Sequence, residues 1–353
     1  MRSPHWGQTL RSPLHFLRPV KDSLMPIVSL VVPIYNVEPF LSQCLASLPE
    51  DDGVEVILVN DGATDGSGEI IREYRRAHPS VVVVEKENGG LSDARNAGVA
   101  VASGDWVYFL DGDDRLAPGA VQTLLDFARR ERCDIVQGNF YYAYDDRLLY
   151  DARRPERTVL SRDEAMTALV AQDTVKNFAW GKLYRAELAK AHPFHKGVYF
   201  EDAYWQHLMI DGATRYGIVA TPLYYYRQRA ASISGTFSVR NLDLLRGYEE
   251  RLAFLQARYP FLEKAQAASL WRLAEQFCLL ARRQGDASVQ EACQCYWDEL
   301  CRTYEPVFAY ALRWSALYNA RQYAPSLLPV VRLAERIRNR ITGKKLAQVP
   351  LPV

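Results

Sequence analysis

No run of apolar residues in this 353-residue chain approaches eighteen, so the sequence offers no transmembrane helix. It has almost no excess charge, a formal +1, and 48% of its residues are hydrophobic. That balance excludes a disordered chain and a globally nucleic-acid-seeking one. Paired cysteines of the CxxC kind are missing. The six cysteines stand at 44, 133, 278, 293, 295 and 301, with Cys293 and Cys295 facing different ways in a helical region. Reduced, mostly buried thiols in a cytosolic protein are expected. There is no GxGxxG fingerprint, and the Gly-Lys pair Gly343-Lys344 lacks the rest of a P-loop. A dinucleotide dehydrogenase and a P-loop NTPase are therefore disfavoured.

What is present begins after residue 24. Residues 1–24 carry Arg2, Arg11, Arg18 and Lys21 against one acid, Asp22, with no signal-peptide core, and read as a loose extension. Met25 directly precedes the first organised element and is a candidate translation start. Ile27–Ile34 is nearly continuous in apolar and β-branched residues, as expected of a strand buried on both faces of a parallel sheet. Asn36 is placed to cap the next helix, whose stripe is Phe40, Leu41, Cys44, Leu45 and Leu48. Further strands are expected at Val54–Val59, Val81–Val84 and Trp106–Leu110, separated by helices that open near Asp65 and Ser92. Alternation at this spacing predicts right-handed βαβ units and a doubly wound α/β sheet. In such a sheet the strand ends share one edge. Tyr35-Asn36, Asp61, the turn from Glu87 to Gly90 with Arg95 beyond it, and the acids at 111–114 then converge on one cleft.

The fourth of these strands ends in Asp111, Asp113 and Asp114 around Gly112. Clustered acids at the carboxyl end of a strand suit a hard divalent cation such as Mg²⁺ or Mn²⁺, which shares its coordination with substrate phosphates. A solvated acidic turn is the plainer alternative. An EF-hand is a poor fit, because Arg115 and Gln122 fall where that loop needs an oxygen ligand and a Glu.

Four segments, VVPIYN at 31–36, VNDGATDGSG at 59–68, ENGGLSDARNAG at 87–98 and FLDGDD at 109–114, resemble the family 2 inverting glycosyltransferases of the GT-A fold. WGKLYR at 180–185, VYFEDAYW at 198–205 and YYYRQRAASIS at 224–234 extend the resemblance, which covers roughly six-tenths of the chain. The likeness is greatest to the bacterial branch that builds capsule, exopolysaccharide and lipopolysaccharide sugars.

The resemblance implies a Rossmann-like, mostly parallel sheet and a set of roles. Asp61 accepts the imide N–H of a uracil, with Pro33, Tyr35 and Glu38 lining the base pocket; capping the next helix is its competing role. Arg95 reaches the base or the phosphates, unless it is a surface arginine of its helix. Asp111 reaches ribose and metal-bound water, and Asp113 coordinates Mn²⁺ or Mg²⁺ directly. Asp114 shapes the turn or caps the following helix. Trp180 and Lys182 offer sugar stacking and a phosphate or hydroxyl contact on the acceptor side, although a core position suits Trp180 equally. Asp202 is the general base at a helix start, supported by Glu201, with a plain capping acid as the alternative. Asn60 replaces an Asp frequent in the family. Arg227 and Arg229 stand where some relatives place a metal-ligating His, which leaves a third protein ligand undefined.

The expected organisation is a flexible extension at 1–24 and a GT-A domain at 25–235. Its nucleotide-binding half covers about 25–130 and its acceptor half about 131–235. A helical region follows at 236–328, then a basic amphipathic helix and tail at 329–353. Cys133–Gln137 is read as a strand with an aromatic extension, Arg147–Arg157 as a charged loop, and Val307–Tyr318 as one helix. In the last segment Val330, Leu333, Ala334, Ile337 and Ile341 form a stripe flanked by Arg332, Arg336, Arg338, Arg340, Lys344 and Lys345. Such a helix either lies on an anionic inner-membrane surface or packs on protein. The expectation is a cytoplasmic enzyme, peripheral to the inner membrane through that helix, without a nucleic-acid partner. It moves a sugar from a nucleotide-sugar donor, UDP-linked, to a glycan or lipid-linked glycan acceptor by single displacement. A non-catalytic glycan-binding or assembly subunit is the alternative. A sugar nucleotidyltransferase is disfavoured, since VVPIYN lacks a Gly-rich loop with Arg and Lys.

Overall fold

The computed structural model describes residues 27–152, 157–229, 237–313, 315–334 and 347–349. Strand β1 (Val28–Ile34) leads through α1 (Glu38–Leu45) to β2 (Val54–Asp61), α2 (Ser67–Ala77), β3 (Val82–Lys86), α3 (Leu91–Val101) and β4 (Trp106–Phe109). Next come β5 (Arg115–Leu116), α4 (Ala120–Glu131), β6 (Ile135–Ala143), β7 (Leu148–Tyr150), β8 (Arg157–Ser161) and α5 (Arg162–Val170). The domain closes with β9 (Lys182–Arg185), α6 (Ala186–Ala191), α7 (Asp202–Gly212) and β10 (Arg215–Arg227). A helical region follows: α8 (Leu242–Arg258), α9 (Glu263–Gln284), α10 (Ala287–Thr303), α11 (Glu305–Leu312) and α12 (Ala316–Tyr323), before β11 (Ala347–Val349).

All eleven strands join one sheet, whose main path runs β11-β7-β6-β9-β4-β1-β2-β3. Its half formed by β1 to β4 is parallel, with Val28 opposite both Val54 on β2 and Trp106 on β4. Beyond β4 it is mixed: β9 runs antiparallel to both β4 and β6, while β10 lies parallel to β6 and antiparallel to β8. Side chains alternate across a strand. Leu30, Val32, Leu58 and Tyr108 pack under α1, α2 and α4, whereas Val31, Ile57, Val59, Val107 and Phe109 pack under α3, α5, α6 and α7. Covering both faces is why these strands read as unbroken apolar runs. Helix α3 rides very close to the sheet at Gly98, where an added Cβ would stand 2.3 Å from Val31 Cγ1.

The helical region has its own core, in which Trp271 stacks edge-on to Trp297 and Tyr318. That core reaches the α/β domain through Ala203 and Tyr204 of α7. Arg251 of α8 spans the junction, donating from Nη2 to Asn177 Oδ1 at 2.5 Å and to Ala203 O at 2.9 Å. Residues 328–334 are helical; Leu328 and Val331 pack on this core, Arg332 pairs with Glu275, and Val330 and Leu333 remain exposed.

Several expectations are corrected. Asn36 does not cap α1: its φ is +50°, its Oδ1 accepts from Thr64 N at 2.8 Å, and the cap position is Val37. The expected loop at 147–157 contains β7, whose Leu148 is buried, and ends at the start of β8. One helix expected over Val307–Tyr318 is two, α11 and α12. The tail is not helix throughout, since β11 pairs antiparallel with β7. The rest of the basic stripe, from Arg336 on, and residues 230–234 of the last resembling segment lie outside the described residues. None of the six cysteines is paired with another. No described helix is long and apolar enough to cross a membrane.

Candidate active site

The carboxyl ends of β1 to β4 share an edge, and the polar groups there are tied together rather than left in solvent. Asp61 ends β2 and is 2% exposed. Its Oδ1 accepts from Lys86 Nζ at 2.5 Å and from Gly89 N at 3.0 Å, and its Oδ2 from Gly90 N at 2.9 Å. Asp61 therefore pins the 87–90 turn that launches α3; α2 has Gly66, not Asp61, at its cap position. Asn60 braces the same edge, donating to Glu85 Oε2 at 2.6 Å and accepting from Ala63 N at 3.0 Å. Pro33 is buried in β1, and Tyr35 is 47% exposed at the rim. Glu38 accepts from Gly66 N at 2.7 Å, so its carboxylate fastens α1 to the start of α2.

At the centre stands Arg95, 1% exposed. Its Nη2 reaches Asp111 Oδ1 at 2.8 Å, its Nη1 pairs with Glu201 Oε1, and the same nitrogen lies 3.4 Å from Asp202 Oδ1. Its guanidinium is flanked by the rings of Phe109 and Phe194. Burial alone would lower its proton affinity, but the three carboxylates outweigh that and hold it charged. A buried charge is tolerable only when paired in this way. Arg95 is thus neither a surface residue nor free to serve a base; it joins the acidic strand end to the start of α7.

The acidic turn is held from its other side by β10. Tyr224 donates to Asp114 Oδ2 at 2.7 Å and accepts from Asp111 N at 3.2 Å. Arg227 N donates to Asp114 Oδ1 at 2.7 Å, and Arg227 Nε donates to Asp113 O at 2.8 Å. Asp114 accordingly shapes the turn and caps nothing; α4 begins after Gly119. Gly112 allows the turn to pass β1, since a Cβ there would lie 3.1 Å from Pro33 O. Arg229 Nη2 pairs with Asp113 Oδ2 at 2.5 Å.

Five carboxylates, Asp111, Asp113, Asp114, Glu201 and Asp202, here share the ion pairs of two guanidinium groups, those of Arg95 and Arg229, while the Arg227 guanidinium bonds the main-chain O of Asp113. The shortage shows as raised proton affinity. Burial and then repulsion from Asp111 lift Asp113, against Arg229. Burial, Asp113 and Asp111 lift Asp114 well above the usual carboxylate range. Asp202, whose side chain keeps 18% of its surface, is pushed up to about 8 by burial and by Glu201, with Arg95 opposing. The helix dipole at the start of α7 favours the anion, and here burial wins.

Two expected acceptor-side residues face inward. Trp180 is 6% exposed, with one ring face on Phe178 at 3.7 Å and stacked contacts to Tyr224 at 4.4 Å and Tyr226 at 4.9 Å. No ring face is left for a sugar. Lys182 is fully buried, donating to Lys176 O at 2.5 Å, Phe178 O at 2.6 Å and Gln206 Oε1 at 3.2 Å. It braces the 176–178 loop against α7 and cannot reach a ligand. The structure therefore gathers Arg95, Asp111, Asp113, Glu201 and Asp202, with Asp61 on the same sheet edge. That Tyr224 holds the acidic turn was not foreseen; an acid cluster that must find cations and donors was the available signal.

The fold and cleft define the class: this is the GT-A type of α/β sheet, a glycosyltransferase fold with an acidic strand end facing a carboxylate across a buried arginine. Residues 29–192 match the family model described as Glycosyl transferase family 2. The chain is 34% identical over 241 residues to the uncharacterized glycosyltransferase EpsJ of Bacillus subtilis, covering 65% of this chain and 70% of EpsJ. It is 33% identical to glycosyltransferase GlyA of Streptococcus pneumoniae, over 67% of this chain and 36% of that longer protein. The crystal structure of S. aureus TarS 1–349 in complex with UDP-GlcNAc shares the fold, with TM-score 0.66 at 19% identity over 88% of this chain and 91% of that one. The chain belongs to glycosyltransferase family 2 and is a glycosyltransferase.

Proposed function

We propose that the chain transfers a sugar from a UDP-sugar to a hydroxyl of a growing cell-surface glycan, with inversion, using Asp202 as the general base. The observation that carries this is the Arg95 cluster, which brings the donor-side Asp111 and the acceptor-side Glu201 and Asp202 onto one guanidinium. In a single displacement the acceptor oxygen bonds to the sugar's anomeric carbon as the bond to the diphosphate breaks. The acceptor proton passes to Asp202 and the nucleoside diphosphate departs with the bonding pair. A carboxyl whose proton affinity is raised to about 8 is a stronger base than an ordinary carboxylate in the fraction that is ionised, and that fraction grows as pH rises. Glu201 keeps Arg95 turned toward Asp202, and Arg95 fixes the distance between the two halves of the cleft.

Asp111 and Asp113 fit a hard divalent cation. Each has one oxygen held by an arginine, both are oxygen donors, and the surrounding carboxylates lack counter-charge. Mg²⁺ and Mn²⁺ suit such incomplete oxygen sets because phosphate and water finish their coordination. Among the described residues no three His, Cys, Asp or Glu side chains form a complete cage. When bound, such a cation supplies charge neutralisation for the departing diphosphate.

Asp61 favours uridine. A carboxylate has about four acceptor positions, and Lys86, Gly89 and Gly90 use three of Asp61's. One position remains, which matches the single imide N–H of uracil rather than the two donor groups on guanine's edge. TarS in the same fold holds UDP-GlcNAc. The cell-surface acceptor follows the sequence likeness to the bacterial polysaccharide branch. The exposed Val330 and Leu333 support peripheral contact with an anionic membrane surface, where a lipid-linked acceptor would lie.

The test is turnover of a panel of UDP-sugars with Mn²⁺ or Mg²⁺. Hydrolysis or transfer is expected with the cation and should be lost in EDTA; full activity in EDTA removes the metal from the reading. Asp202→Asn should reduce transfer by at least ~100-fold with UDP affinity retained, as expected for loss of a base. Near-normal rates would reassign that role. Retained glycan binding without any turnover would favour the assembly-subunit reading.

A further inference from the structure

The two arginines at the end of β10 are held very differently. Arg227 is anchored on three sides: its N–H donates to Asp114 Oδ1 at 2.7 Å, its Nε to Asp113 O at 2.8 Å, and its Nη2 to Gln43 Oε1 at 2.8 Å. Arg229 has one polar anchor among the described residues, the pair from Nη2 to Asp113 Oδ2 at 2.5 Å. Its Nε is buried without a hydrogen-bond partner, and its guanidinium lies over the Phe40 ring, 5.2 Å from the centroid, beside that of Arg227 at 4.8 Å. One cation is part of the scaffold. The other sits on a carboxylate that the proposed function gives to a divalent cation.

We infer that Arg229 is the resident counter-cation of Asp113 in the donor-free protein, and that a divalent metal can use Asp113 fully only by displacing it. Two cations cannot share that carboxylate cheaply, because their mutual repulsion opposes joint occupancy. The displaced guanidinium has an unspent Nε–H and a planar fork of donors, the geometry that takes a diphosphate two oxygens at a time. The nucleoside diphosphate therefore draws Arg229 off Asp113 as the metal arrives, and metal and nucleotide bind cooperatively. Because such coupling is reciprocal, each must strengthen the other by the same factor. Phe40 gives the moving guanidinium a flat apolar surface to slide over, which a single-point anchor permits and Arg227's three do not. This inference rests on the metal-binding reading of Asp113, so its test reads metal affinity rather than turnover.

Mn²⁺ is titrated into the full chain with and without saturating UDP, with free Mn²⁺ followed by its paramagnetic resonance signal. The proteins compared are wild type, Arg229→Gln, Arg229→Lys and Asp113→Asn, each checked for an unchanged melting curve. Without UDP, Arg229→Gln should bind Mn²⁺ roughly fivefold more tightly than wild type, the scale of one partly exposed ion pair removed from competition. UDP should tighten Mn²⁺ binding in wild type by a larger factor than in Arg229→Gln, and Arg229→Lys should resemble wild type. Unchanged or weaker Mn²⁺ binding by Arg229→Gln in the absence of UDP overturns the inference while leaving the metal site standing. Mn²⁺ binding that is absent from wild type with UDP, or that Asp113→Asn does not weaken, overturns the metal reading and this inference with it.

Discussion

Asp202 illustrates how an environment sets a single group's chemistry. It begins α7, a position that would ordinarily favour its anion, yet burial and the neighbouring Glu201 push its proton affinity up to about 8. The sign follows directly: if Asp202 is the base proposed above, a growing share of it carries its proton below that value and cannot accept another, so activity should fall there. The expected outcome is kcat/KM rising with pH through an apparent pKa near 8. For kcat, measured with donor and cation bound, the limb should stay close to that value, because the divalent cation and the diphosphate's negative charges roughly cancel. A kcat/KM profile flat from pH 6 to 9 would show that another group sets the base. In Asp202→Asn any residual activity should lose this limb.

Single elements show what the amino-acid pattern discloses and what it withholds. Strands β1, β2 and β4 are legible because both their faces are buried, leaving few polar residues within them, Ser29 in β1 and Glu55 in β2. The acids at 111–114 are legible because a strand seldom ends in three carboxylates without use for them. Trp180 and Lys182 were misread for one shared reason. A Trp beside a Lys looks like a ligand site, and only residues far along the chain reveal otherwise. Tyr224 and Tyr226 cover the ring, and Gln206 and the 176–178 carbonyls take the ammonium. Asn36 failed as a cap because a better partner, Thr64, lies across the loop. Lys182→Met should therefore behave as a stability variant. Leaving those buried carbonyls unpaired costs about 1–3 kcal/mol each, so denaturant unfolding should shift to a lower midpoint. The acceptor KM of the folded enzyme should stay within about twofold if the residue touches no ligand. A large KM rise with unchanged stability would return Lys182 to the acceptor site. Gly98→Val tests the close packing of α3 in the same way. Overfilling that contact costs typically 1–3 kcal/mol, and an unchanged unfolding midpoint would refute it.

Across the whole molecule, the helical region is fastened to the very helix that begins with Asp202. Its core includes Ala203 and Tyr204, and Arg251 donates to the carbonyl of Ala203, the residue after Asp202. At its far end the exposed Val330 and Leu333 leave an apolar edge. If that edge contacts lipid, Val330→Asp with Leu333→Asp should lower co-sedimentation with anionic vesicles by roughly tenfold or more, since two buried apolar side chains are lost and two like charges gained. Unaltered vesicle binding would end the membrane reading without touching the enzymatic one.

The guanidinium of Arg95 also bears on how such enzymes can be recombined. It follows the early parallel strands of the sheet, yet two of its three anions arrive more than a hundred positions later. A hybrid that grafts the later half of one relative onto the earlier half of another inherits a working junction only when the arginine and its distant acids descend together. Specificity for the incoming sugar and for the molecule it is added to are thus not freely exchangeable cassettes, and crossovers between positions 95 and 201 are where mismatched parents should yield folded but idle proteins.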